Sequence, residues 1–230
     1  MDRRQQITDR LQAVRARIAD AARACGRDPA TVRLLAVSKT FPAADIRYAQ
    51  AAGQDCFGES YLNEALPKLA ALAAPAPEWH YIGPLQANKT RRIAELFAWV
   101  HSVDRLKVAQ RLNDQRPPGL PPLNVCLQVN ISGEATKAGV PPDAVVALAT
   151  AVSALPRLRL RGLMAIPAPT DDVAEQRAAF SRLRTLFEAL TARGLRLDTL
   201  SMGMSDDLEA AIAEGATLVR VGSAIFGARE

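Results

Sequence analysis

The sequence predicts an α/β protein: a single domain spanning residues 1–230, folded as a (β/α)8 barrel with an extra N-terminal helix. Three observations carry this expectation. Short apolar segments rich in branched residues alternate strictly with segments whose apolar residues recur every three or four positions, and strict alternation of strand with helix builds a parallel sheet. The strand-like segments number eight, the count at which such a sheet closes on itself. No Gly-x-Gly-x-x-Gly follows the first strand, and the last strand lies too near residue 230 for a full helix to follow it; both disfavour the competing arrangement, an open doubly wound sheet.

Each element has its own signal. Ile7, Leu11, Val14, Ile18, Ala21 and Ala22 mark one face of a helix over residues 4–25, with Gly26 as its stop and Arg10, Arg15, Arg17 and Arg23 on its solvated side. Without a partner in the alternation, this helix is expected to cover the gap where an eighth helix would pack. The strand at 32–39 precedes a helix at 43–52 that Gly53 closes. Strands at 55–59, 79–83 and 99–103 lead into helices at 61–72, 86–97 and 105–113. After the proline-rich corner at 117–122, strands at 123–131, 158–166 and 199–203 lead into helices at 143–154, 173–193 and 206–214, and the last strand is 217–222.

Composition narrows the function. The formal charge is +5, but 29 basic residues are interleaved with 24 acidic ones, and aromatics make up only 5%, so no basic run alternates with stacking rings as a nucleic-acid surface requires. Cys25, Cys56 and Cys126 are odd in number and far apart, which speaks against a disulfide framework and suits a reducing compartment. His80 and His101 make no metal site with cysteines so placed. The first residues are basic but no apolar segment follows, and no apolar run approaches membrane-spanning length. A soluble cytoplasmic protein is expected.

Functional groups of such a barrel gather at the C-terminal ends of its strands. Those ends read Lys39; Glu59 with Ser60; Gly83; Ser102; Asn130; Met164 to Pro167; Met202 to Ser205; and Arg220 to Ser223. Lys39 closes an apolar strand, where partial desolvation favours the neutral amine that attacks a carbonyl, although a lysine there also suits simple snorkelling. Ser205, before Asp206 and Asp207, reads as a helix cap, and with Gly222 and Ser223 it forms a candidate phosphate site after strands seven and eight. Arg220 alternates with Val219 and Val221 and so points into the barrel, where it must meet an acceptor: Glu59, a phosphate or a ring nitrogen. Lys89, in the first turn of the third helix of the alternation, and Lys137, in a glycine-bounded loop after strand five, border the same face.

Ala36-Val37-Ser38-Lys39, Phe57-Gly58-Glu59-Ser60-Tyr61, the run from Trp79 to Lys89, Gly162 to Ile166, Met202 to Asp207 and Val219 to Gly227 resemble, in order and along nearly the whole chain, the YggS/PROSC family of pyridoxal-phosphate homeostasis proteins. The resemblance implies a barrel like the N-terminal domain of alanine racemase (PLP fold type III), with pyridoxal 5'-phosphate held by Lys39 as a Schiff base. It implies that Ser205, Gly222 and Ser223 hold the phosphate, that Arg220 faces the pyridine nitrogen, and that Asn130 and Met164 join the cofactor site. Ser60 stands where the family often has asparagine, and Ser223 where it often has threonine.

The implied protein is an intracellular carrier of the cofactor that passes it to apo PLP-dependent enzymes, acts as a monomer and has no substantial turnover of its own. A racemase needs a second base from a further domain, which is not expected here. The competing readings are a slow amino-acid racemase using the same cofactor and a Schiff-base aldolase using Lys39. Lys89 and Lys137 are candidates for relaying the cofactor from Lys39 to a recipient.

Overall fold

Short apolar runs need burial on both faces, and the computed structural model, which describes residues 2–134 and 138–228, supplies it. Eight parallel strands, β1 (Arg33–Val37), β2 (Cys56–Glu59), β3 (Glu78–Tyr81), β4 (Trp99–Val103), β5 (Leu123–Gln128), β6 (Leu158–Met164), β7 (Thr199–Ser201) and β8 (Leu218–Val221), close in sequence order into a barrel. Closure is made by β1, which aligns Ala36 with Phe57 of β2 on one side and Leu35 with Arg220 of β8 on the other.

The outer layer is α1 (Arg3–Ala24), α2 (Ala43–Ala51), α3 (Leu62–Ala71), α4 (Thr90–Leu96), α5 (Leu106–Gln115), α6 (Val145–Ser153), α7 (Val173–Ala192), α8 (Leu208–Ala213) and the single turn α9 (Ser223–Phe226). Asp2 caps α1 by accepting from the Gln5 amide at 2.7 Å. The buried residues of α1 are the six that the periodicity selects, Ile7 to Ala22, and they pack it against α2, α8 and α9. The helix therefore occupies the place of the one that would follow β8. Arg27 fastens its far end by donating to the carbonyls of Ile212 and Ala216. No helix among the described residues is long and apolar enough to cross a membrane.

Several strands end earlier than expected: β1 at Val37, β5 at Gln128, β6 at Met164 and β7 at Ser201. The residues beyond them stay apolar for another reason, since Val129, Ile131, Ala165 and Met202 are buried beneath the upper loops after leaving the sheet. Helices α4 and α8 start later than expected, at Thr90 and Leu208, because residues 86–89 and 205–207 form turns. Inside the barrel lie two small apolar clusters, Leu35 with Cys56 and Leu218, and Trp99 with Cys126 and Met164. Beside them runs a set of buried polar side chains: His80, His101, Ser201 and Arg220.

If α1 closes the outer layer, truncating its stripe opens a cavity against the barrel. Leu11 is fully buried. Leu11→Ala should therefore lower the unfolding free energy by about 2–5 kcal/mol in urea titrations. A loss below about 1 kcal/mol would make α1 a peripheral appendage rather than part of the core.

Candidate functional site

Lys39 follows directly on β1 and is held from both sides. The Ser38 amide still bonds to the Gly58 carbonyl at 3.0 Å, while Thr40 takes a left-handed conformation (φ 70°) and donates its amide to Glu64 Oε2 at 3.0 Å. A threonine in that region is strained, and such strain persists only where the surroundings enforce it. Underneath, the Ser38 hydroxyl donates to Glu59 Oε1 at 2.6 Å, and Lys68 Nζ donates to the Ser38 carbonyl and to Glu59 Oε1, both at 2.8 Å. Burial pushes the Glu59 carboxyl up, against the pull of Lys68. Glu59 is thus committed to Lys68 and Ser38, and the sequence alternative that pairs it with Arg220 is corrected by this geometry.

Lys39 opens into a cavity of about 230 Å³ whose walls also carry Ser60, Ser205, Arg220, Gly222 and Ser223. Ile82, Ile166 and Met204 supply its apolar surface. Ser205 does not cap α8 as its sequence context suggests. The N-cap is Asp207, whose carboxylate instead accepts from the Met204 amide at 2.5 Å, tightening the turn before the helix. The Ser205 hydroxyl lies 3.2 Å from that of Ser223, so two hydroxyls from the loops after β7 and β8 meet at one wall. A side chain at Gly222 would place its Cβ 3.1 Å from the Val37 carbonyl, which keeps this wall bare. A roomier cleft of about 530 Å³, bordered by Arg3, Arg10, Asp45 and Phe226, lies in the helical layer; Lys39 does not line it.

Arg220 points inward, as alternation predicts, and is 4% exposed. Its Nη1 donates to the carbonyl and hydroxyl oxygens of Ser201 at 2.6 and 2.8 Å, and its Nη2 to the Ala165 carbonyl at 2.9 Å. Burial pulls its pKa down to about 10, with Asp207 opposing, so the guanidinium is charged at neutral pH. Of its five N–H groups these bonds use three. The remaining two are those on Nε and one on Nη2.

Not every residue of the expected site comes to this cavity. Met164 is fully buried against Trp99 and Cys126 inside the barrel, and Asn130 turns its side-chain amide to the Glu134 carbonyl at 2.8 Å in the loop after β5; neither lines the cavity. Lys89 sits at the N-cap of α4 and also lies off the cavity wall, and Lys137 falls outside the described residues. Tyr61 is half exposed at the start of α3.

Sequence reasoning missed what stands behind Arg220. Ser201 Oγ is 2.8 Å from His101 Nδ1, His101 Nε2 is 2.9 Å from His80 Nδ1, and His80 Nε2 is 2.8 Å from Glu78 Oε1. The signal was available: His80 and His101 alternate with outward-packing neighbours in their strands just as Arg220 does.

The site thus sets a lysine at the rim of a (β/α)8 barrel beside a pair of hydroxyls and a buried arginine. A family model described as "Alanine racemase, N-terminal domain" matches residues 10–230, and the chain belongs to this family. Pyridoxal phosphate homeostasis proteins are among the relatives that match nearly the whole chain. The one from Pseudomonas aeruginosa is 66% identical over 224 residues, covering 97% of this chain and 96% of that protein. The Escherichia coli K12 protein of the same name is 53% identical, with 97% of each chain covered. Among solved structures, PipY of Synechococcus elongatus, determined with PLP bound, is 41% identical with a TM-score of 0.84, over 96% of this chain and all of that one.

The column's lower end makes a pH prediction. The hydrogen bond from His80, aided by Arg33, holds the Glu78 carboxyl down at about 2, against an ordinary value of 4.5. A carboxyl depressed by folding contributes stability above the unfolded value and loses it as the pH falls through the folded one. The stability difference between the parent and Glu78→Gln should therefore be full above about pH 4.5 and shrink steadily toward about pH 2 in urea titrations. A difference that does not vary with pH over that range would contradict the depressed carboxylate.

Proposed function

We propose that the chain binds pyridoxal 5'-phosphate through Lys39 and acts in homeostasis of this cofactor, holding and delivering it rather than turning over a substrate. The observation that carries the reading is the meeting, in one cavity, of the Lys39 amine, the Ser205 and Ser223 hydroxyls and the Arg220 guanidinium. The donor set fits the cofactor's three polar ends. Lys39 offers an amine to the aldehyde, Ser205 and Ser223 with the bare backbone at Gly222 suit a phosphate, and the two remaining N–H groups of Arg220 suit a ring nitrogen. When bound, the cofactor supplies an electron sink for amino-acid chemistry.

The chain's own residues weaken that sink. Arg220, charged at neutral pH, donates hydrogen bonds and cannot take one from a protonated ring, so it favours an unprotonated ring nitrogen. The rim is open as well: Met204 and Ile166 are 37% and 41% exposed, and a site that does not exclude water suits exchange better than catalysis.

The reading extends to transfer of the cofactor to apo PLP-dependent enzymes by a cytoplasmic monomer. The three cysteines, free in the structure, support a reducing compartment, where burial pushes the Cys56 and Cys126 thiols up to about 12 and leaves them inert.

Borohydride reduction of the loaded protein, followed by peptide mapping, should place the fixed cofactor on Lys39, and Lys39→Ala should lose the visible absorbance of the loaded protein. An adduct on Lys89 or Lys137 with Lys39 unmodified would overturn the assignment.

A further inference from the structure

The buried groups behind Arg220 form one unbranched chain of hydrogen bonds through the barrel: Arg220, Ser201, His101, His80 and Glu78, the last also accepting from Arg33 at 2.6 Å. His80, His101 and Ser201 are fully buried, whereas Glu78, at the start of β3, reaches the opposite rim with its side chain 35% exposed. The direction of the chain follows from its two ends. Glu78, ionised, can only accept, so His80 carries its proton on Nε2. A neutral His80 then accepts at Nδ1, which requires a proton on His101 Nε2, leaves His101 Nδ1 an acceptor and makes the Ser201 hydroxyl its donor. At the other end Arg220 can only donate, and Ser201 Oγ receives one of its protons while giving up its own. The reverse order places a bare Nε2 against the carboxylate or requires an imidazolium, and burial disfavours the charged form of both rings. His80 is held flat against Trp99, ring centroids 5.2 Å apart and 6° from parallel, which leaves it little room to flip.

Building on the assignment of Arg220 to the cofactor's ring nitrogen, we propose that Ser201, His101, His80 and Glu78 are positioning residues for it: a directed relay that locks both imidazoles as neutral Nε2–H tautomers and fixes the face that the guanidinium turns to the cavity. Every donated proton in the relay points away from the cavity, toward Glu78. No proton can reach the ring from below unless the whole chain reverses, so the relay and Arg220 act together to keep the cofactor poorly activated. A disturbance at any inner link is felt at the next, because the Ser201 hydroxyl, His101 and His80 each have a single partner on either side.

The test is 15N NMR of protein labelled in its histidine rings, recorded without cofactor and with pyridoxal phosphate, for the parent, Ser201→Ala, Ser201→Thr and Glu78→Gln. In the cofactor-free parent both rings should be neutral with the proton on Nε2. Ser201→Ala should shift the ring signals of His80, which Ser201 does not touch, and raise the dissociation constant for pyridoxal phosphate about five- to tenfold, the loss expected for one buried hydrogen bond. Ser201→Thr, which keeps the hydroxyl, should restore both. Glu78→Gln, which keeps an acceptor, should preserve the tautomers. A parent ring that is charged or carries its proton on Nδ1 would overturn the relay, as would a His80 signal indifferent to Ser201→Ala. If Ser201→Ala does not fold, the parent's tautomers decide the direction, and loss of the Nε2–H form of His80 in Glu78→Gln would overturn it. A parent that binds no pyridoxal phosphate would instead overturn the proposed function, while the tautomers of the cofactor-free protein still decide the relay.

Discussion

A charged guanidinium sealed inside a barrel is the constraint to which the rest of this structure answers. Removing Arg220 from water costs several kcal/mol unless its protons are met. Three of the five are met by carbonyls at the upper ends of two neighbouring strands, Ala165 after β6 and Ser201 in β7, and by the Ser201 hydroxyl. These bonds tie β6, β7 and β8 together where the barrel opens. They also decide which of its donors remain for a ligand.

The register then brings the nucleophile to the arginine. Leu35 lies opposite Arg220 in the β1–β8 pair, so the end of β1 delivers Lys39 beside the loop that leaves β8. The residues on either side of Lys39 help to fix its position. The Ser38–Glu59–Lys68 cluster grips the residue before it, and Glu64 with the strained backbone of Thr40 grips the residue after it. On the far side Gly203 lets the loop after β7 pass close to α8: its φ is 93°, and a Cβ there would lie 2.5 Å from that of Ala211. A narrow passage at Gly203 brings Ser205 round to Ser223.

The barrel, its eight strands and the stripe of α1 were legible because they rest on periodicity, which a single sequence displays in full. The inward turn of Arg220 was legible for the same reason. Strand ends were harder, since Val129, Ala165 and Met202 remain buried after the sheet ends and hydropathy does not separate the two conditions. Ser205 has the sequence context of a helix cap, but the Asp207 carboxylate bonds to the Met204 amide and α8 starts later, a competition between two neighbouring acceptors that no local pattern resolves. Met164 and Asn130 sit at strand ends, yet one turns into the barrel and the other into its own loop. Lys68 shares the apolar face of α3 with Leu62 and Ala65, and a lone lysine there gives no sequence sign that its ammonium is buried on Glu59. The two histidines, too distant from the cysteines for a metal site, alternate within their strands so that both enter the barrel behind Arg220.

The most direct measurement of this account is the protonation state of the ring nitrogen of bound pyridoxal phosphate, read by 15N NMR with the cofactor labelled at that atom. With Arg220 donating and the relay behind it directed downward, the signal should be that of an unprotonated pyridine at neutral pH, in the parent protein and in Glu78→Gln alike. A pyridinium signal in the parent would contradict the account at its centre.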